Sequence, residues 1–505
     1  MALPPWTVEL LRRGVADLAR QVTDNDTAAS LKEQASKLVE ELPKTAREKV
    51  DTILRQAEES TRPIKDVWQS GVLWRGGTIS LTPARLINGT GRLLDPRGSG
   101  VGLPAEALAA AIPHLSGDAS HIENADARLC DEIAAAISRR CGEGSAENNK
   151  LSAIVTNSID ASLALIMKLG GRGGCVSVPR CCAVPLVTST QGPASTSTQA
   201  VGDELLVDRL RRYGTGAVRE FGRVDGSDRW DENHFTRRRG QHRDAPSNGR
   251  HQGGQRDGQH DDKPVRGRQN VLVRLAASGE GNRIPTAERA NWIDVVVLPI
   301  GAIFSTGDEV SVDSLVDQLR GGADVVVLGG GVLAGTPELS LVVGNEAVID
   351  QLRQTPRHSL VMAPTALTAI AASTVAIQAS GRSPVGQLAS VSEENLQDRA
   401  MRLATQLGGF DAVQSTRVTQ DSASIGLVTT QLTTTTTSDA ADVLPSRQVV
   451  LTLDASKDAD AVARRLAESS IGLLCRVQGN EIIIDLRWIS PEQQSQIGEI
   501  VGRAF

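Results

Sequence analysis

Between about residues 80 and 385, short apolar and β-branched runs alternate with segments that have helical spacing. Two of these helical segments are 162–169 and 312–319, and each lies between apolar runs. Continuous apolar runs of this length are typical of strands buried on both faces, and helices between them cross over from one parallel strand to the next. The runs are 153–156, 175–178, 271–275, 294–298, 324–328 and 339–343. The alternation therefore predicts a large α/β domain with a mainly parallel central sheet, over residues 80–385.

The regions on either side of this α/β part have different patterns. Residues 1–62 place apolar side chains at i, i+3, i+4 and i+7, which predicts a helical N-terminal domain. Residues 395–505 combine strand-like runs, a hairpin around 478–480 and a final helix over 491–501, which predicts a small α+β C-terminal domain. A chain of 505 residues is expected to divide into two or three domains, which agrees with this organisation.

Residues 236–269 interrupt the α/β pattern and contain only two apolar side chains, Ala245 and Val265. Such a segment cannot offset its ordering entropy by burial, so we expect a disordered insertion. Nine basic and four acidic residues make it a basic patch in a chain whose net charge is -6. Either RNA contact or repeat expansion explains this composition. Its histidines recur every nine residues, a spacing without the fixed geometry of a metal site, so no metal is expected.

Composition also limits where the protein acts. No apolar run reaches the ~20 residues of a membrane helix, and the N-terminal segment lacks the pattern of a secretory signal. The six cysteines show no regular disulfide framework. A cytoplasmic protein without membrane association is therefore expected.

Four blocks of sequence resemble the bacterial selenocysteine synthases, the L-seryl-tRNA(Sec) selenium transferases. Residues 85–94, RLINGTGRLL, are similar to that family's Val-Ile-Asn-x-Thr-Gly-x-Leu-Leu, and residues 153–169 resemble its strand, Asn-rich turn and helix. Residues 323–344, ADVVVLGGGVLAGTPELSLVVG, resemble the stretch Ser-Gly-Asp-Lys-Leu-Leu-Gly-Gly-Pro-Gln and the following strand. Residues 479–487, GNEIIIDLR, resemble the terminal hairpin and its Asp-Leu-Arg. The blocks occur in the family's order along the chain.

This resemblance implies a fold-type-I pyridoxal phosphate (PLP) transferase-like large domain, flanked by the helical N-terminal and small α+β C-terminal domains. It also implies PLP as cofactor, tRNA(Sec) as partner and a ring-shaped homo-oligomer. The implied reaction converts seryl-tRNA(Sec) to selenocysteinyl-tRNA(Sec) with selenophosphate as selenium donor.

Two residues that the family's chemistry needs are replaced. A PLP enzyme holds its cofactor aldehyde as a Schiff base with a lysine, and an acid keeps the pyridine nitrogen protonated. By the resemblance, Val332 occupies the lysine position and Leu298 the aspartate position. Only nine of the 54 basic residues are lysines, and none lies between Lys263 and Lys457. Covalent binding of PLP is therefore not expected, and no catalytic residue of the family is intact.

The phosphate subsite is the part of the site for which candidates remain. Asn157 and Ser158 stand between a predicted strand and helix, where free N–H groups favour an anion, and Arg180 follows the next strand. These three residues are the candidate phosphate contacts. The alternatives are a helix cap for Asn157 and Ser158 and a surface charge for Arg180.

Two hypotheses follow for function. The chain is either an L-seryl-tRNA(Sec) selenium transferase, by resemblance, or a catalytically inactive relative that acts as an oligomeric scaffold or RNA-binding protein. The sequence leaves open whether it is an enzyme.

Overall fold

A computed structural model describes residues 85–117, 124–142, 150–170, 175–182, 204–214, 217–222, 270–276, 292–305, 312–426 and 443–505. The chain divides into two compact units, Met1–Pro83 and Ala84–Phe505, and the described residues belong to the second. The predicted helical domain over 1–62 and the predicted insertion over 236–269 lie outside the described residues. The limits chosen for the three domains therefore stay predictions.

A seven-stranded sheet forms the centre of the second unit, in the order β2-β8-β7-β6-β5-β3-β4. β8 pairs antiparallel with both β2 and β7, whereas β7, β6, β5, β3 and β4 pair parallel to one another. The strands are β2 Leu151–Thr156, β3 Cys175–Pro179, β4 Ala217–Phe221, β5 Asn270–Leu275, β6 Trp292–Leu298, β7 Val325–Gly331 and β8 Thr336–Asn345. This confirms the predicted α/β class and mainly parallel central sheet.

The central strands are apolar because helices cover both faces of the sheet. All seven residues of β6 are buried, and six of them are apolar, as expected for a strand between two helical layers. One core contains Leu163, Leu206 and Leu210 from one helical layer, and the other contains Ile133 and Leu315. The helices of this region are Ala105–Ser116, Ala125–Cys141, Ile159–Ile166, Leu206–Tyr213, Leu315–Arg320, Glu346–Arg353, His358–Val361, Thr365–Ala379 and Pro384–Ala389.

The C-terminal part is an antiparallel sheet covered by helices, as predicted from its mixed pattern. Its strand order is β12-β13-β10-β9, and β10 pairs antiparallel with both β9 and β13. The elements are Glu393–Leu407, β9 Val413–Ser424, β10 Val443–Leu453, helix Ala459–Ala467, β11 Ile471–Leu474, β12 Arg476–Gln478, β13 Glu481–Asp485 and helix Pro491–Ala504.

The first described strand, β1 Arg85–Asn88, joins the C-terminal part rather than the central sheet. It pairs in parallel with β11, from Arg85 opposite Ile471 to Asn88 opposite Leu474. The predicted hairpin is correspondingly shorter: β12 and β13 form it around Gly479, which has a φ of 60°, while β11 belongs to the pair with β1. Residues at the start of the predicted large domain thus pair with residues almost 400 positions later.

Candidate functional site

The turn after β2 contains two of the predicted phosphate contacts, and its polar groups bond within the protein. The Ser158 hydroxyl caps the helix Ile159–Ile166 by accepting a hydrogen bond from the Ala161 N–H at 3.2 Å. The Thr156 hydroxyl donates to the Ser158 carbonyl at 2.9 Å, and the Asn157 N–H donates to the Val361 carbonyl at 2.9 Å. The helix-cap alternative for Ser158 therefore describes the structure, and its contact with phosphate remains a prediction.

The third predicted phosphate contact, Arg180, lies far from this turn. It is exposed and follows β3, which is five strand positions from β2 in the sheet. Neighbouring strands are about 4.8 Å apart, so the ends of β2 and β3 are separated by roughly 24 Å. An arginine side chain cannot span that distance. Arg180 therefore lies at a different part of the sheet edge from Asn157 and Ser158, because the sheet order separates strands that are adjacent in sequence, and its contact with phosphate remains a prediction.

Leu298 and Val332, at the positions implied for the aspartate and the lysine, end two neighbouring strands but belong to different apolar clusters. Leu298 is the last residue of β6, is 2% exposed, and packs in the cluster that contains Ile303 and Leu315. Val332 follows β7 and packs against the cluster that contains Leu333 and Trp488. The two side chains therefore contact different apolar clusters, and Val332 is partly buried.

The described lysines lie away from this edge of the sheet. Lys150 precedes β2 at the opposite end of the sheet, and its amine donates to Glu346 at 2.6 Å. Lys168 follows the helix Ile159–Ile166, which leads back to that same opposite end, and Lys457 precedes the helix Ala459–Ala467 in the C-terminal part. Residues around Leu298 and Val332 thus do not fit a Schiff-base-bound PLP, because one position is a buried leucine and the other supplies no amine.

The glycines at 329–331 end β7 where backbones approach closely. A Cβ on Gly329 would lie 2.3 Å from the Pro299 carbonyl oxygen, and a Cβ on Gly330 would lie 2.2 Å from the Pro337 carbonyl oxygen. Any larger residue would force these segments apart. The glycine run is therefore explained by packing at the register shift between β7 and β8, as an alternative to a phosphate-binding loop.

A buried ion pair on β5 and β6 was not expected from the sequence. Arg274 Nε donates to Asp294 Oδ1 at 3.0 Å and its Nη2 donates to Oδ2 at 3.1 Å, with the two residues only 2% and 5% exposed. Asp294 is buried and paired because β5 supplies a charged partner on the same face. The sequence signal that could have indicated the pair is that Arg274 and Asp294 interrupt otherwise apolar strands.

Two of the family-like blocks meet in a group of buried polar residues that we call the polar junction: Asn88, Thr90, Gly91, Asp485 and Arg487. Asn88 Oδ1 accepts hydrogen bonds from the Thr90 hydroxyl at 2.7 Å and the Thr90 N–H at 3.1 Å. Gly91 has a φ of 80°, and a Cβ there would lie 3.0 Å from Asp485 Oδ2. The Asn-x-Thr-Gly block thus forms a tight turn packed against the Asp-Leu-Arg block.

Asp485 is fully buried within this junction. Its carboxylate accepts from the Ser446 hydroxyl at 2.7 Å, the Arg487 N–H at 3.0 Å and the Gln448 amide at 3.1 Å. Burial raises the pKa of Asp485 above its ordinary value, although these three donors act in the opposite direction. The Asp485 carboxylate therefore holds the Ser446 hydroxyl, the Gln448 amide and the Arg487 N–H in place.

Arg487 connects three segments by hydrogen bonds to carbonyl oxygens. Its Nε donates to Pro445 at 2.9 Å, and its Nη1 donates to Ala389 at 3.1 Å and Val391 at 2.7 Å. The guanidinium group thus joins β10 to the segment that follows the helix Pro384–Ala389. The structure gives this arginine of the Asp-Leu-Arg block an architectural role.

A cleft of about 870 Å³ lies beside β2, lined by residues from 114–130 and 353–366. In this described part of the chain, Asp126 Oδ1 and His358 Nε2 are buried without hydrogen-bond partners. Burial, together with the charge of Arg353, lowers the pKa of His358. The cleft was not predicted, because its residues come from separate helices and follow no motif.

No membrane-crossing candidate occurs among the described helices, none of which combines the required length and apolarity. The described residues also contain no cluster of three or more histidine, cysteine or acidic side chains arranged to hold a metal ion.

Solved structures show only a distant likeness. The serine palmitoyltransferase of Sphingomonas wittichii is 15% identical over 90% of this chain and 97% of that chain, with a TM-score of 0.37. The alanine–glyoxylate aminotransferase from Nostoc sp. is 15% identical over 86% of this chain and 98% of that chain, with a TM-score of 0.36. A multiple substrate aminotransferase from Thermococcus profundus is 11% identical over 85% and 96%, with a TM-score of 0.35. No curated protein sequence matches the chain significantly.

A family model gives a more specific match. Residues 309–490 match the model described as L-seryl-tRNA selenium transferase. The matched range begins before β7 and ends after the Asp-Leu-Arg block, so it includes Val332 and two residues of the polar junction, Asp485 and Arg487. The strand order of the central sheet confirms the predicted large α/β domain with a mainly parallel sheet. Over residues 309–490, the chain is therefore similar to the L-seryl-tRNA selenium transferase family, in agreement with the predicted resemblance.

Proposed function

We propose that this protein is a non-catalytic member of its family that binds tRNA(Sec) without converting the attached serine. The observation that carries the proposal is Val332, which by the resemblance occupies the position of the Schiff-base lysine. In PLP enzymes that lysine holds the cofactor and moves a proton, and a valine side chain can do neither.

The proposed partner, tRNA(Sec), the cytoplasmic location and the homo-oligomeric assembly are inferred from the family resemblance. Binding of tRNA(Sec) in the cytoplasm by a homo-oligomer fits a chain that retains the family's scaffold and has lost the residues of its chemistry. Sedimentation of the purified full chain measures the assembly, and a single species at the mass of one chain contradicts the homo-oligomer.

Filter binding tests the proposed partner directly. The full chain is expected to retain tRNA(Sec) more strongly than an elongator tRNA of equal length. The comparison is made at physiological salt, where non-specific phosphate contacts, which both tRNAs offer equally, are weakened. A variant that lacks 236–269 is the matched control for the basic insertion. Equal retention of both tRNAs by the full chain contradicts the proposal, whereas loss on deletion assigns the contact to the insertion.

The second candidate is the family's own reaction, formation of selenocysteinyl-tRNA(Sec) from seryl-tRNA(Sec). The match over 309–490 favours it, since that range includes the part of the family that surrounds the lysine position. Incubation with seryl-tRNA(Sec), PLP and selenophosphate separates the two candidates. Selenium attached to the tRNA above the level of a no-protein control supports the transferase, and its absence together with retained tRNA binding supports the non-catalytic relative.

A further inference from the structure

Apolar residues join the end of the central sheet to the C-terminal part in a group that we call the bridging cluster. Its members from the loops after β6 and β7 are Ala302 and Leu333, with Ile300 and Val332 packed against them. Its members from the C-terminal part and the segment after β1 are Leu93, Ala423, Ile425, Leu444 and Trp488. Leu93 and Ile425 are fully buried, and Trp488 is 1% exposed.

Hydrogen bonds fix the far side of this cluster. The Ser424 carbonyl accepts from the Leu93 N–H at 3.0 Å and from the Trp488 indole N–H at 3.1 Å. The Leu94 N–H donates to the Ile425 carbonyl at 2.8 Å. Leu93 and Trp488 are therefore held in place by backbone contacts as well as by apolar packing.

Leu298, at the end of the neighbouring strand β6, packs in a different cluster. Leu298 is buried beneath residues such as Ile303 and Leu315, in a cluster separate from the bridging cluster. A cofactor ring that contacted both Leu298 and Val332 would have to displace packed side chains from two clusters. Burial of a carboxylate in place of Leu298 would also carry a large desolvation penalty.

We infer that the loops after β6 and β7 form a packing interface with the C-terminal part in this chain, in place of a PLP cleft. The inference rests on the proposed non-catalytic function and extends it, because it states that restoring the lysine alone does not restore the cofactor site. The loss of PLP binding is then caused by the packed side chains around position 332 as well as by the missing lysine.

The test uses the full chain with Val332→Lys, and with Val332→Met as a control of similar length that carries no amine. Each protein is incubated with PLP, reduced with borohydride and mapped by peptide mass. We expect no visible Schiff-base band and no label at position 332 in any of the three proteins. A label at position 332 of Val332→Lys overturns the inference, since it shows that a cofactor reaches the interface.

A second variant keeps the inference testable if Val332→Lys does not fold. Leu93→Ala removes packing from the bridging cluster at a residue without cofactor chemistry, and Leu115→Ala is the control at an exposed apolar residue, 74% accessible. We expect a lower melting temperature for Leu93→Ala than for Leu115→Ala. Equal melting temperatures overturn the inference. The two proposals fail separately, because loss of tRNA(Sec) binding in the wild type contradicts only the proposed function.

Discussion

The end of the central sheet and the polar junction both carry family-like sequence, yet they differ in what has been retained. At the end of the central sheet, Leu298 and Val332 are packed among apolar side chains. In the polar junction, Asn88, Thr90 and Asp485 are buried with defined hydrogen-bond partners.

This contrast separates residues that maintain a fold from residues that perform chemistry. Removing a partner from the polar junction leaves buried donors or acceptors unsatisfied, which costs free energy in every state of the protein. Replacing a cofactor ligand by an apolar residue carries no such penalty for folding. A family scaffold can therefore survive with its architectural polar residues after its catalytic residues have changed.

The largest expected effect concerns the buried Arg274–Asp294 ion pair of the central sheet. Asp294→Ala leaves the Arg274 guanidinium buried without its carboxylate, and should lower the free energy of unfolding by about 3–5 kcal/mol. Urea unfolding measures the loss. The matched control is the double variant Arg274→Met with Asp294→Leu, which removes both charges and should recover most of the stability. A double variant as unstable as Asp294→Ala contradicts this explanation.

A smaller effect is expected in the polar junction from Arg487→Ala. The substitution removes a cation from the carbonyls of Ala389, Val391 and Pro445, and should cost about 2–3 kcal/mol of unfolding free energy. Arg487→Lys keeps the charge but not the planar arrangement of donors, so its loss should be intermediate. If the lysine variant is as stable as wild type, charge alone accounts for the contact and the geometric argument fails.

Ser158→Ala should produce a loss near 1 kcal/mol, typical of a removed helix cap. Ser158→Asp is the control, because its carboxylate can still accept from the Ala161 N–H. Thermal unfolding in the presence and absence of inorganic phosphate tests the remaining phosphate prediction at the same time. Stabilisation by phosphate in wild type that disappears in Ser158→Ala supports phosphate contact, and an equal shift in both proteins contradicts it.

The smallest expected effect is a change in the pH dependence of stability, from Asp485→Asn. Because burial raises the folded pKa of Asp485, its contribution is fully present below the unfolded pKa of about 4 and is lost as pH rises through the folded pKa. Asparagine does not titrate, so the Asp485→Asn variant does not lose this stability as pH rises. Urea unfolding of both proteins at several pH values from 4 to about 7 should therefore show the variant gaining stability relative to wild type. A constant difference across that range contradicts a raised pKa.

Local patterns were enough to predict the main elements of the central sheet. β6 and β7 contain the apolar runs 295–298 and 325–328, and burial on both faces requires such runs whatever their neighbours are. The same reasoning could not predict that β1 pairs with β11, since the pairing joins residues 85–88 to 471–474 without a local signal.

The candidate site was less predictable because it depends on the order of strands. Ser158 was correctly placed at the start of a helix, but local pattern could not show how far Arg180 lies from it across the sheet. Five strand positions separate the two strands that carry them. The Arg274–Asp294 pair likewise depends on the register between β5 and β6, which no single strand reveals.

The sequence alone determined the class of the fold, the family resemblance and the absence of a lysine at position 332, because each depends on residue identity and local spacing. Tertiary structure decided which buried charges are paired, which polar blocks meet and which apolar residues fill the end of the central sheet. These depend on contacts between segments distant in the chain, whose free energies arise only when the strands are assembled in one order and register.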